Sequence, residues 1–109
     1  MDASATPEQI QLEKLLAKSA KAGRTVSFVC TVVAGRVTEF LWTKQGQLLK
    51  NDAKYRISID SEASILLIRN VDHNDSGDYM CVAKNPLSED RVAATLKVEG
   101  NSTSMISPF

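Results

Sequence analysis

Asp72-His73-Asn74-Asp75-Ser76-Gly77-Asp78-Tyr79-Met80-Cys81 is the stretch on which the reading of this chain turns. Its first half crowds carboxylates, a carboxamide and a glycine together, which suggests either a calcium loop or a polar corner that opens a strand. Laid on the EF-hand pattern, Asp72, Asn74 and Ser76 take the early ligand positions and Gly77 takes the required glycine. The last ligand position should be a bidentate Glu, and it is Ala83. Tyr79-Met80-Cys81-Val82 moreover alternates like a strand, where a second helix should begin. The calcium reading fails, and the cluster needs another explanation.

Working outward, period-two alternation governs the chain from Gly23 onward. Val26, Phe28, Cys30 and Val32 share one face, Phe40 and Trp42 another, and Gln45-Gly46 turns the chain. Ile57 and Ile59, Leu66 and Ile68, Tyr79 and Cys81, and then Val92, Ala94, Leu96 and Val98 repeat the pattern. Short alternating strands separated by turn residues indicate an all-β antiparallel sandwich or barrel. Glu13 to Ala22 is the best helix by propensity. It is read instead as an edge strand, because Ile10/Leu12 and Leu16/Lys18/Ala20 alternate.

The 109 residues fit one domain, and 13 basic against 13 acidic residues leave no net charge. A balanced chain carries no basic surplus for nucleic acid or anionic membrane. The longest aliphatic run, Ile65 to Ile68, is far too short to span a bilayer. The N-terminus has neither the basic nor the apolar region of a signal peptide. Residues 1–6 read as an extension, 7–99 as the domain, and 100–109 as a polar linker or tail. Two cysteines, Cys30 and Cys81, can pair in one way only, and spacing leaves open whether they do. A bridge would close a loop of about 50 residues, worth on the order of 4 kcal/mol.

Cys30, Trp42 and Cys81 fall on three of these strands, and Tyr79 stands two residues before the second cysteine. With Asp75-x-Gly77-x-Tyr79-x-Cys81, Phe40-x-Trp42-x-Lys44-x-Gly46 and the run Ser64 to Val71, the chain resembles an immunoglobulin domain of the I-set branch. The resemblance implies a two-sheet antiparallel sandwich, a Cys30–Cys81 disulfide packed on Trp42, and a tyrosine corner built by Tyr79. It also implies an ion pair between Asp75 and Arg56. The outline of strands B to G is most similar to arthropod Down syndrome cell adhesion molecules (Dscam), which implies an extracellular, cell-surface adhesion module that pairs with a second copy of itself. The sarcomeric scaffold domains inside muscle share the same core and are the alternative. The F–G hairpin, Asn85 to Asp90, lacks the glycine common there.

Catalysis finds no support in the inventory. His73 is the sole histidine and shares one short loop with Asp72, Asp75 and Ser76, whereas a triad draws its members from separate elements. One histidine and two sandwich cysteines make no zinc set, and no cofactor motif occurs. Asn101-Ser102-Thr103 and Asn74-Asp75-Ser76 are glycosylation acceptors by pattern. On the outward side of strands A, B, E and D, Val29, Ile65 and Leu67 are apolar where a solvated sheet carries polar residues. With Thr31 and Ser58 beside them they form the candidate interface.

Overall fold

The structure, a computed structural model, describes residues 9–99. The expected extension 1–6 and tail 100–109, with the Asn101 acceptor, lie outside the described residues. Nine strands form among the described residues: β1 (Gln11–Leu12), β2 (Lys18–Lys21), β3 (Val26–Ala34), β4 (Glu39–Lys44), β5 (Gln47–Leu48), β6 (Tyr55–Ile59), β7 (Ala63–Ile68), β8 (Gly77–Lys84) and β9 (Glu89–Glu99). They build two facing sheets, ordered β1-β3-β7-β6 and β2-β9-β8-β4-β5. The all-β sandwich read from the alternation is therefore the fold.

Alternation places the core between the sheets. Phe28, Cys30, Trp42, Leu66, Ile68, Tyr79, Cys81 and Leu96 are all buried, drawn from both sheets. Phe28 and Tyr79 meet across the core with ring centroids 5.4 Å apart and tilted planes, a favoured aromatic geometry. Between β4 and β5, Gln45 and Gly46 both take positive φ (47° and 87°), and Lys44 pairs with Gln47. That is a two-residue primed turn, whose twist matches the flanking strands.

Two expectations change here. The first strand is not one edge strand: β1 pairs with β3, and β2 joins the other sheet by running parallel to β9, so that sheet is mixed. In crossing between sheets the chain shifts its alternation by one residue. Leu15 is buried, and Leu16, read as alternating in step with Lys18 and Ala20, is 68% exposed. Ile59, expected to alternate inward with Ile57, is likewise exposed at the end of its strand.

The start of β1 is held by the opposite end of the chain. Ile10 N–H donates to Ser88 Oγ (3.0 Å) and Leu12 N–H to Asp90 Oδ2 (2.9 Å). Gly35 at φ +89° lies so close beneath this segment that a Cβ would sit 2.5 Å from the Gln9 carbonyl oxygen. Backbone cannot move aside as a side chain can, so this position needs glycine.

Candidate functional site: an outward sheet face and the corner behind it

The acidic stretch is a capped corner. His73–Asp75 forms one 3₁₀ turn, with Asp72 as its N-cap. Asn74 N–H donates to Asp72 Oδ1 and Asp72 N–H donates to Asp75 Oδ2, both at 2.8 Å. The two aspartates thus satisfy each other's end of the turn, the reciprocal arrangement of a capping box. Ser76 Oγ accepts from Val98 N–H (2.9 Å), and Asp78 Oδ1 accepts from Thr95 Oγ1 (2.9 Å). Tyr79 Oη donates to the Asp75 carbonyl at 2.6 Å in a buried setting, as the tyrosine corner requires. Lys44 Nζ donates to the Asn74 carbonyl and also lies 6.0 Å from the Tyr79 ring centre. The oxygen-rich side chains are spent on backbone and neighbours. Asn74 remains exposed, though the Ser76 hydroxyl of its glycosylation pattern is occupied.

The ion pair on Asp75 needs correcting. Its partner is Lys54, with Nζ 2.6 Å from Asp75 Oδ2, while Arg56 is exposed. The register explains why: Arg56 stands opposite Leu67 on the outward side of the β6–β7 ladder, so its parity carries it away from the corner. Lys54 precedes β6, is free of that parity, and also donates to the Asn70 carbonyl at 2.9 Å.

Trp42 does sit against the cysteines, opposite Cys81 in the β4–β8 ladder. Its indole N–H donates to Ser64 Oγ (2.8 Å), and Ser64 Oγ donates to the Ser58 carbonyl (3.0 Å). Cys30 and Cys81 are both fully buried, and they stand as two thiols in side-chain contact rather than as the bridge the resemblance implies. Contact with the Cys30 sulfur, and then burial, pushes the Cys81 thiol far above its ordinary range.

The candidate interface is brought together. Val29 of β3 lies directly opposite Ile65 of β7, and Ser58 of β6 lies opposite Ile65 on its other side. Val29 is 48% exposed and Ile65 38% exposed. Leu67 and Thr31 are half-buried and Ser58 is exposed. All five point away from the core, because their strand neighbours Cys30, Leu66 and Ile68 point into it. Among the described residues no group of three or more His, Cys, Asp or Glu is placed to hold a metal ion.

The family model for the immunoglobulin I-set domain matches residues 11–98. The chain is an immunoglobulin I-set domain. Among its relatives is neural cell adhesion molecule 1 of Bos taurus, 36% identical over 88 residues, covering 79% of this chain and 10% of that protein. The domain thus spans about a tenth of the length of the adhesion proteins it matches. Among solved structures it resembles the M4 domain of titin, with a TM-score of 0.79 at 23% identity over 84% of this chain and 98% of that one. The M1 domain of titin gives a TM-score of 0.77 at 25% identity, covering 83% and 94%.

Two features of this I-set domain were missed by the sequence reading yet had signals in it. Ser64 shares parity with Leu66 and Ile68, so a hydroxyl was bound inward and needed a partner, which Trp42 supplies. Asp72-x-x-Asp75 is a capping spacing with Asp in place of Glu. The F–G loop, by contrast, closes without glycine. Asn85 Oδ1 accepts from Leu87 N–H (2.8 Å) and Ser88 N–H (2.7 Å), and Asn85 N–H reaches Ser88 O at 2.9 Å.

Proposed function

We propose that this I-set domain is an extracellular recognition module that binds a second copy of itself through the outward face of the β1-β3-β7-β6 sheet. The observation that carries the reading is the direct cross-strand pair of exposed aliphatics, Val29 and Ile65, with Leu67 one step along the same face. A solvated sheet face alternates to polar residues, and an apolar cluster there marks an interaction surface. A twofold dimer uses one patch twice, so a small cluster is doubled at the interface, and Thr31, Ser58 and Arg69 around it set register. Each fully buried aliphatic contributes about 1.5–3 kcal/mol before ordering costs. Single-domain affinity is then weak, about micromolar, and many copies on apposed surfaces raise it by avidity.

Support also comes from the adhesion proteins among the relatives. Within that class we place the domain beside the Dscam-type cell-surface proteins, on the outline of strands B to G. The test is aggregation of beads that carry the domain. Beads bearing the parent should clump, and beads bearing Ile65→Lys with Leu67→Asp should not. Equal clumping by the variant overturns the assignment.

A second reading has its own observation. The likeness to titin domains favours an intracellular, load-bearing scaffold domain. Free Cys30 and Cys81 in protein taken from native tissue would select it.

A further inference from the structure

Where the chain crosses from β1 to β2, Glu13 to Ala17 belong to neither sheet. The crossing leaves a groove of about 430 Å³ beside the edge of β3, lined on one side by Phe28, Val29 and Thr31 and on the other by Leu15, Leu16 and the charged Glu13, Lys14 and Lys18. We propose that this groove receives the same crossing segment, Glu13 to Lys18, of a second copy of the domain, in an antiparallel and reciprocal contact. The inference rests on the self-recognition proposed above and names how the two copies are set against each other.

Three features select this occupant. First, the groove suits an extended protein segment. Val32 N–H donates to Glu62 C=O on the β7 side, and Thr31 C=O accepts from Glu13 N–H on the β1 side. Antiparallel alternation therefore turns the N–H and C=O of Val29 toward the groove, where a segment's backbone can meet them. Second, the knob stands next to the hole. Leu16 is 68% exposed on the rim of a groove walled by Leu15, Phe28 and Val29, and a twofold contact can fill both grooves with both leucines. Third, the charges complement themselves in one register. With Glu13 opposite Lys18 of the second copy, Leu16 falls opposite Leu15, so charge and apolar matching agree. Slipping by one residue one way sets Lys14 against Lys18, and the other way leaves Glu13 opposite Ala17 and Lys18 opposite Leu12, so both slips lose the charge pairing. Val29 and Thr31 belong both to the groove and to the sheet-face patch, so the two surfaces are continuous.

Sedimentation velocity across concentration tests this. Leu16→Asp should weaken self-association at least tenfold with an unchanged thermal midpoint, because the side chain is exposed. Glu13→Lys and Lys18→Glu should each weaken it alone, and an equimolar mixture of the two should recover association as a mixed dimer. If Leu16→Asp associates like the parent, or the mixture is no stronger than either variant alone, the groove is not part of the contact. Where Leu16→Asp associates like the parent while Ile65→Lys with Leu67→Asp abolishes association, the groove inference falls and the sheet-face reading stands. A parent that stays monomeric overturns both.

Discussion

The Trp42 indole N–H donates to the Ser64 hydroxyl at 2.8 Å, tying β4 of one sheet to β7 of the other through the middle of the core. Both partners are almost wholly enclosed, so neither can turn to water if the other is lost. Ser64→Ala should cost about 1–3 kcal/mol, the penalty of a buried donor left without an acceptor. Urea unfolding of Ser64→Ala, Trp42→Phe and the double variant measures the coupling. A double variant equal to the sum of the singles would show that the bond contributes nothing of its own.

Asp75 should matter and Arg56 should not. Asp75→Ala removes the acceptor of Asp72 N–H and the partner of Lys54 together, and should destabilise by about 1–3 kcal/mol. Arg56→Ala acts on an exposed side chain and should stay within about 0.5 kcal/mol of the parent. Denaturant midpoints that reverse this order would restore Arg56 as the corner's cation.

Burial first, and then neighbouring negative charge that includes Asp75, raises Tyr55 and Tyr79 above the ordinary phenol range. A raised folded-state value makes its stability contribution complete below the unfolded value, about 10, and lost as pH climbs past it toward the folded value. Above that point only the unfolded chain ionises, so stability should fall with rising pH. Phenolate absorbance should therefore appear together with loss of structure in an alkaline titration. Ionisation of both tyrosines near 10 in a chain that remains folded would contradict this.

How much of this was legible in the sequence follows from which residues obey a period. Cys30, Trp42, Leu66 and Cys81 lie within long alternating strands, and their inward faces could be read directly. Val29, Ile65 and Leu67 are their opposite parity, so the outward patch came with the core. The crossing from β1 to β2 was not legible. A change of sheet inserts an irregular segment that resets the phase, and Leu15 and Leu16 exchange roles. Lys54 was missed for a related reason: it precedes β6, where parity says nothing, and its long chain finds Asp75 through the tertiary fold. The immunoglobulin resemblance placed an Arg there by pattern, and the β6–β7 register sends that Arg outward.

Cys30 and Cys81 are in contact, fully buried and opposite in sheet. In an oxidising compartment they should form one bridge, and the bridged domain should be more stable than the reduced one by roughly 4 kcal/mol, from a closed loop of about 50 residues. Non-reducing mass spectrometry of protein refolded under oxidising conditions checks the bond, and paired denaturant curves check its worth. Two alkylatable thiols after such refolding would count against an extracellular module.

The central claim is that the domain recognises itself through the face carrying Val29, Ile65 and Leu67. Sedimentation equilibrium of the parent domain and of the Ile65→Lys, Leu67→Asp variant tests it most directly. Both substitutions point away from the core, so the variant's thermal midpoint should match the parent's. The parent should show a monomer–dimer equilibrium at about micromolar concentration, and the variant should remain monomeric over the same range. A variant that dimerises as the parent does, at an unchanged midpoint, would contradict the account and move the contact to the opposite sheet, around Leu41 and the Asn85-Pro86 loop.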